Sequence, residues 1–251
     1  MRERFQGLGQ FVLWAKEVLV SLFTLRVSRR DLFYQLYFIG VKSQSVVLIT
    51  GAFTGMVMAA QTYFQFHRVR LDHATLAVVS VSMCSELGPV LAGLMVSGRV
   101  GAALAAELGT MRVTEQIDAL RTLAAHPIDY LVVPRFLATL IAMPLLTAAS
   151  IAVGIGAGYG ICRIYMGPFA TYAYDNMVYY TGPEDLLTGI IKAFVYGGII
   201  GMISCYKGMT CREGAEGVGR ATTEAVVFSS ITILITNFFL TLILNNLIQP
   251  A

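Results

Sequence analysis

Five long apolar stretches run along the chain, separated by shorter segments that carry most of the charged residues. Each stretch is long enough to cross a hydrocarbon core of about 30 Å, which takes about 20 helical residues. Because unpaired backbone groups are very costly in lipid, we predict that each stretch forms a helix and not a strand. The predicted spans are Ser45–Phe64, Ala74–Gly98, Phe136–Tyr165, Leu186–Tyr206 and Ala225–Ile248.

The N-terminal segment has a different pattern. Residues Gly7–Leu25 are apolar, but Lys16 and Glu17 interrupt the run, and no small-residue cleavage site precedes Arg26. We predict an amphipathic helix that lies along the membrane interface, within an interfacial region covering residues 1–43. A sixth span is the alternative, which the internal charges disfavour.

Between the second and third spans, the sequence predicts a charged amphipathic helix, Met111–Ala125. Its mixed charge favours docking to a protein, because helices that rest on lipid headgroups are usually rich in Lys and Arg. The expected apolar positions are Val113, Ile117, Leu120 and Ala124, and the expected polar ones are Arg112, Glu115, Asp118 and Arg121.

Composition agrees with the pattern. Of the 251 residues, 56% are hydrophobic and only 13% are charged, whereas a soluble domain carries about 25% charged residues. We therefore predict one all-α integral membrane domain over residues 1–251. The four cysteines contain no Cys-x-x-Cys pair, which disfavours a zinc site or a disulfide framework.

The distribution of basic residues predicts the orientation. Lys and Arg are concentrated ahead of the first span, between the second and third spans, and in the segment Lys207–Arg220, whereas Met166–Asp185 contains none. The positive-inside rule places the basic segments, and with them the N-terminus, in the cytoplasm. The C-terminus is then on the outer face.

Two ionisable residues, Glu86 and Lys192, fall inside predicted spans. A charge near the middle of a bilayer costs about 3 kcal/mol, so such residues usually face a cavity or a partner. They either line a polar substrate path or form a buried ion pair that fixes packing. Asn237 is placed to join either arrangement. Pro89 should kink the second span and free a carbonyl near Glu86.

Glycine spacing predicts where helices approach closely. The pattern Gly-x-x-x-Gly lets two helix backbones come together in a membrane, and it occurs at Gly51/Gly55, Gly154/Gly158, Gly156/Gly160 and Gly197/Gly201. A second glycine-rich stretch, Gly214–Thr223, is interpreted as a loop whose backbone approaches a partner, with a flexible turn as the alternative.

Signatures of catalysis are absent from the sequence. It contains neither the phosphate-binding loop Gly-x-x-x-x-Gly-Lys-[Ser/Thr] nor the zinc motif His-Glu-x-x-His. We therefore predict a non-catalytic chain without a metal or a cofactor of its own.

Several motifs, in order and spacing, resemble the MlaE (YrbE) family of ABC-transporter permeases, from about Arg30 to the C-terminus. They are Glu86-Leu87-Gly88-Pro89-Val90, Gly98-Arg99-Val100-Gly101-Ala102, Ala106-Glu107-Leu108-Gly109-Thr110-Met111, Thr114-Glu115-Gln116-Ile117-Asp118-Ala119-Leu120, Pro127 with Pro134-Arg135, and Ala215-Glu216-Gly217-Val218-Gly219-Arg220-Ala221-Thr222-Thr223.

This resemblance implies a homodimeric permease of the bacterial inner membrane. ATP would be bound and hydrolysed by a separate ATPase subunit that couples to the helix between spans two and three. A periplasmic MCE-domain protein would sit on the outer face, and a small STAS-domain protein is a further expected partner. Phospholipid would occupy a pocket between the two permease copies, and the system would maintain outer-membrane lipid asymmetry.

The resemblance also suggests functional residues, in three groups. The expected lipid-pocket residues are Met58, Tyr63, Phe66 and Val69 near the outer end of the first span, with Glu86, Lys192 and Asn237 deeper. The expected ATPase-coupling residues are Glu107, Met111, Arg112, Glu115, Asp118 and Arg121, and the cytoplasmic loop contributes Glu216 and Arg220. The rival hypothesis is an autonomous ion-coupled transporter that uses Glu86, although the inverted repeats typical of that class are not seen.

The chain departs from the family pattern at three positions. Many members carry Arg where this chain has Ser85, Asp where it has Asn237, and Gly where it has Glu213. The first two changes remove one charge of each sign, which leaves Glu86 and Lys192 as the natural pair.

Overall fold

The computed structural model describes residues 2–24, 29–167, 170–212 and 214–248, and every regular element in these ranges is helical. We number the α-helices in chain order. They are α1 (Arg2–Thr24), α2 (Arg29–Leu36), α3 (Lys42–Arg68), α4 (Thr75–Ser82), α5 (Gly88–Val96), α6 (Ala102–Val113), α7 (Gln116–Thr122), α8 (Val133–Met166), α9 (Ala170–Tyr180), α10 (Pro183–Met209) and α11 (Gly214–Ile248).

Among the described residues, five helical segments are long and apolar enough to cross a membrane, which confirms the five predicted spans. The first begins at Arg29, well before the predicted Ser45, because α2 continues through a π-helical turn into α3. The segments are Arg29–Arg68, Asp72–Val113, Ile128–Met166, Pro183–Met209 and Gly214–Leu247.

The second span is interrupted by two π-helical turns, Met83–Leu87 and Ser97–Gly101. The first of these ends directly before Gly88 and Pro89. Proline has no backbone N–H, so it cannot continue the regular helical hydrogen bonding at this point. Turns with π-type bonding are frequent at functional sites, and this one carries Glu86.

The prediction of a single helix over Met111–Ala125 is wrong. Helix α6 ends at Val113, Glu115 takes a left-handed conformation with φ of 60°, and only Gln116–Thr122 forms the separate helix α7. The break lets Asp118 reach back to Arg112, six residues earlier, which a continuous helix would place on a different face.

The prediction of a glycine-rich loop at Gly214–Thr223 is also wrong. These residues form the first turns of α11, which begins at Gly214. The φ angle of Gly214 is 65°. The hydroxyls of Thr222 and Thr223 both donate to the carbonyl of Gly219, so both hydroxyls have an acceptor within the helix.

A further helix, α9, lies in the stretch between the third and fourth spans, where the sequence analysis identified no regular element. Ala173 and Met177 pack on the apolar core formed by α3, α4 and α8. The other side chains include the exposed Tyr172, Tyr179 and Tyr180, so one face of α9 is buried and the rest is exposed.

The chain forms two compact units, each built from three separate segments. The first unit comprises Met1–Lys42, Val96–Ala142 and Gly197–Thr232, and the second comprises Ser43–Met95, Met143–Tyr196 and Ile233–Ala251. The core of the first unit contains Val18, Leu108, Ile117, Ile128, Leu131, Val132, Val133 and Cys205. The core of the second contains Ala59, Leu76, Val79, Met83, Cys162 and Ala173.

Within the second unit, α3 and α8 approach each other closely at their glycines. A Cβ atom added to Gly55 would collide with the backbone of Gly154, and one added to Gly51 would collide with Ser150. The close packing predicted from these glycines is therefore confirmed. Gly156 and Gly160 are different, because an added Cβ would meet no described atom within 4 Å.

This contrast predicts opposite effects for one substitution. Alanine at Gly55 should destabilise the protein by about 1–3 kcal/mol through overpacking against Gly154. The matched change Gly156→Ala should be neutral or stabilising by up to about 1 kcal/mol, since Ala favours helix and the site has room. Thermal unfolding of both variants in a mild detergent measures the difference, and equal melting temperatures would contradict the assigned contact.

Candidate functional site

The most buried charge in the second unit is Lys192 of α10, whose side chain is 0% exposed. Its ammonium nitrogen, Nζ, lies 2.6 Å from Glu86 Oε1, 2.8 Å from Thr241 Oγ1 and 2.9 Å from the carbonyl oxygen of Ser85. An ammonium group has three hydrogens to donate. Each of them therefore has an acceptor.

The carbonyl of Ser85, which accepts from Lys192, lies four residues before Pro89. In a regular helix the N–H of residue 89 would donate to this carbonyl, and proline has no such hydrogen. The predicted free carbonyl near Glu86 is thus confirmed. It serves as the backbone ligand of the buried ammonium.

The carboxylate of Glu86 is held by three side chains. Besides Lys192, the hydroxyl of Thr241 donates to Oε1 at 2.8 Å, and the amide of Asn237 donates to Oε2 at 3.0 Å. The amide oxygen of Asn237 in turn accepts from the Tyr196 hydroxyl at 2.6 Å. We call these five residues, Glu86, Lys192, Tyr196, Asn237 and Thr241, the Lys192 cluster.

The sequence analysis named three members of this cluster and missed Tyr196 and Thr241. A signal was present, because Lys192/Tyr196 and Asn237/Thr241 are both spaced four residues apart. Residues at that spacing share one face of a helix. A polar residue one turn beyond a buried ionisable one is therefore a natural candidate for the same network.

The Lys192 cluster attaches α11 to the rest of the second unit. In that part of α11, the apolar side chains are mostly exposed, as in Leu234, Ile235, Phe238, Phe239, Leu242, Ile243 and Leu247. Removing one partner of a buried ion pair leaves the other charge uncompensated, which costs about 3–5 kcal/mol. Asn237 and Thr241 of α11 bind the members of this ion pair, so their hydrogen bonds contribute to the position of this helix.

A second carboxylate, Asp185, lies in the first turn of α10 and is only 5% exposed. It accepts hydrogen bonds from the backbone N–H of Gly182 at 3.1 Å and from the hydroxyl of Ser85 at 3.2 Å. A carboxylate at this position caps a helix N-terminus and interacts favourably with the helix dipole. It is not among the residues predicted from the sequence, although acidic residues in the turn after Gly182-Pro183 are a helix-start signal.

The four apolar residues expected to contact lipid lie along or just after the last turns of α3. Tyr63 stacks on Tyr165 with ring centroids 5.5 Å apart, Met58 packs on the core of the second unit, and Val69 is 62% exposed. Phe66 is partly exposed. A lipid pocket shared by these residues and the Lys192 cluster stays a prediction.

In the first unit, four of the expected coupling residues, Glu107, Arg112, Asp118 and Arg121, form ion pairs within the chain. Glu107 pairs with Arg135 at 3.2 Å, and Arg135 is only 8% exposed. Asp118 accepts from Arg112 at 2.8 Å and from Arg121 at 3.0 Å. The carboxylate of Asp118 is therefore already used to close the turn between α6 and α7.

Of the four apolar positions predicted for the segment Met111–Ala125, two pack against the core and two are exposed. Ile117 is fully buried in the core of the first unit, and Leu120 packs against that core with Met111. Val113 and Ala124, by contrast, are exposed. The most exposed apolar side chain of the segment is Leu123, at 77%, which lies directly after α7 and outside the predicted face.

The residues Glu216 and Arg220, expected in a loop, are exposed on the first turns of α11. Arg220 donates to Glu224 at 3.0 Å, and Lys207 at the end of α10 donates to the same carboxylate at 2.8 Å. The ammonium of Lys207 also lies 4.4 Å from the ring centre of Phe228. Lys207 thus joins α10 to α11 within the first unit. Glu213 lies outside the described residues.

Comparison with known proteins identifies the class to which these features belong. The model of the family described as Permease MlaE matches residues 32–243. The chain belongs to the MlaE permease family. It is 46% identical to a probable ABC transporter permease protein of Rickettsia felis over 94% of this chain and 91% of the relative.

Two relatives from photosynthetic organisms are also similar. A probable ABC transporter permease protein of Synechocystis is 40% identical over 94% of this chain and 90% of its own length. The chloroplastic protein TRIGALACTOSYLDIACYLGLYCEROL 1 of Arabidopsis thaliana is 38% identical over 90% of this chain and 65% of its own length. The chain is therefore a multi-pass permease subunit of an ABC transporter, a class that implies an ATPase partner.

The geometry of the Lys192 cluster predicts strong coupling between its two charges. Lys192→Met should lower the free energy of unfolding by about 1–3 kcal/mol, because it leaves Glu86, whose side chain is 36% exposed, without its cation. Combining it with Glu86→Gln should cost less than the sum of the two single changes. Denaturant unfolding of the four proteins in detergent measures this coupling, and additivity within about 0.5 kcal/mol would contradict the pairing.

Proposed function

We propose that this MlaE permease moves phospholipid between the bacterial inner membrane and an MCE-domain partner in the periplasm, and so maintains outer-membrane lipid asymmetry. The chain would act as a homodimer and would not itself be catalytic. Membership of the family supports the permease role. The name of the Arabidopsis relative contains that of a glycerolipid, which supports a lipid substrate.

The observation that carries the proposal is the closed Lys192 cluster. An ion-coupled transporter that used Glu86 would need this carboxylate to exchange a proton or a cation during each cycle. Glu86 instead binds a fully buried ammonium, a hydroxyl and an amide. A carboxylate held in this way favours a structural role over ion exchange.

Energy would reach this chain from the ATPase at the turn between α6 and α7. Two of its residues, Ile117 and Leu120, are anchored in or against the core of the first unit, so a force applied to α7 reaches packed side chains directly. On the exposed side of the turn, Glu115 and Leu123 offer a charge and an apolar side chain to a partner. Such a combination is typical of a docking surface.

The positions of the basic residues support the proposed orientation. With the N-terminus and the turn between α6 and α7 in the cytoplasm, the ATPase meets the turn, and the C-terminus lies in the periplasm. The exposed apolar residues near the end of α3 then lie on the outer side, where an MCE-domain protein would accept lipid. Met58, Tyr63, Phe66 and Val69 would contact acyl chains, and the Lys192 cluster would set the polarity deeper in the pocket.

Substitution of the exposed residues at the turn tests ATPase docking. The double variant Glu115→Lys, Leu123→Ser should reduce co-purification of the ATPase by at least about tenfold, as expected for an interface centre. Its melting temperature should not change, because neither side chain packs in the core. Asp118 is unsuitable for this test, since its removal opens the turn itself.

The matched control is Leu71→Ser, at an exposed leucine in the turn after α3. This change should leave ATPase binding intact. Undiminished co-purification of the ATPase with the Glu115/Leu123 variant would argue against the docking role.

Mass spectrometry of lipids bound to the intact complex tests the substrate. Phospholipid should co-purify with the complex, and ATP should change the amount retained. A complex that retains no phospholipid above the level of an unrelated membrane protein would contradict the proposal. Uphill solute movement by the isolated chain in vesicles, driven by an ion gradient alone, would support the rival hypothesis.

A further inference from the structure

A cleft of about 590 Å³ opens in the first unit, between α1, the segment after α7 and the end of α10. Its walls carry both apolar and charged side chains. They include Trp14, Glu17, Arg121, His126, Met209 and Thr210. The transport proposal assigns no role to this cleft.

His126 lies between two carboxylates in this cleft. Its Nε2 is 3.4 Å from Glu17 Oε1 on α1, and its Nδ1 is 3.7 Å from Asp129 Oδ1 in the following π-helical turn. The side chains of His126 and Glu17 are about half exposed, and that of Asp129 is one-third exposed. The ring therefore connects the N-terminal helix to the turn after α7.

Both contacts depend on the charge of the imidazole. A neutral ring carries no net charge, whereas an imidazolium is attracted to both carboxylates. The other charged group of the cleft, Arg121, is bound to Asp118. The end of α10 contributes Met209 and Thr210, and Tyr206 packs on Trp14.

We propose that His126 is a pH-responsive clasp that holds the N-terminal helix α1 against the turn following α7. Protonation of the ring strengthens both ion-pair contacts, so α1 docks more tightly in acid than in alkaline solution. Loss of that charge weakens the clasp, and we call this the open state.

The clasp acts next to the turn that the transport proposal assigns to ATPase docking. Val18 of α1 is fully buried in the same core as Ile117 of α7. Tighter docking of α1 therefore changes the packing around Ile117 of α7. The proposal concerns the position of α1 alone and stands or falls independently of the transported substrate.

Trp14 reports this motion directly, because it is the single tryptophan of the chain and lines the cleft beside Tyr206. The experiment measures acrylamide quenching of Trp14 fluorescence in the full-length chain, reconstituted in nanodiscs of zwitterionic phospholipid. Quenching should be about twofold to fivefold stronger at about pH 8 than at about pH 5.5, the range that a half-exposed ion pair supports.

Two substitutions of His126 should remove the pH dependence in opposite ways. His126→Gln carries no charge and should give strong quenching at both pH values, as in the open state. His126→Lys keeps a positive charge and should give weak quenching at both. Glu17→Gln, which leaves the turn untouched, should give the same result as His126→Gln.

The matched control is His67→Gln, because His67 also contacts a carboxylate, Asp72, at 3.1 Å, but lies in the second unit. This variant should retain the full pH response. The proposal is overturned if wild-type quenching is equal at the two pH values, if His126→Gln keeps the response, or if His67→Gln abolishes it.

Discussion

A buried ammonium group must find three acceptors in surroundings that offer almost none, and this constraint organises the second unit. Lys192 meets it with one carboxylate, one hydroxyl and one backbone carbonyl. The carbonyl lies four residues before a proline, which has no N–H to donate to it. The carboxylate and the hydroxyl come from different helices, so satisfying one charge fixes three elements relative to one another.

Polar ties of this kind matter because apolar packing gives little advantage between helices that are already surrounded by lipid. In the second unit, α3 and α8 approach closely at Gly55 and Gly154, and dispersion contacts suffice there. Helix α11 shows mostly exposed apolar side chains and is held by hydrogen bonds and ion pairs instead. In the second unit Lys192 donates to Thr241 of α11, and in the first unit Lys207 donates to Glu224 of α11.

The sequence predicted the features that depend on long apolar runs and on isolated charges within them. The five spans and the Glu86–Lys192 pair belong to this group, because each follows from the cost of polarity in lipid. The predictions from the sequence are wrong where short-range backbone geometry decides the local structure. Glu115 adopts a left-handed conformation that its residue type does not favour, since the turn is closed by Asp118. The glycines after Gly214 suggest a loop by composition, yet they are helical.

The same requirement for charge balance bears on positions 85 and 237 of the second unit, where the resemblance suggests a departure from the family pattern. An aspartate at position 237 would place a second carboxylate beside Glu86, whereas Asn237 donates a hydrogen bond to it. An arginine at position 85 would lie near Asp185, whereas Ser85 contributes one hydroxyl. Asp185 can tolerate this loss because the N–H of Gly182 and the N-terminal dipole of α10 also stabilise its charge. With both extra charges absent, the ammonium of Lys192 is left to a single carboxylate, and the cluster closes on itself.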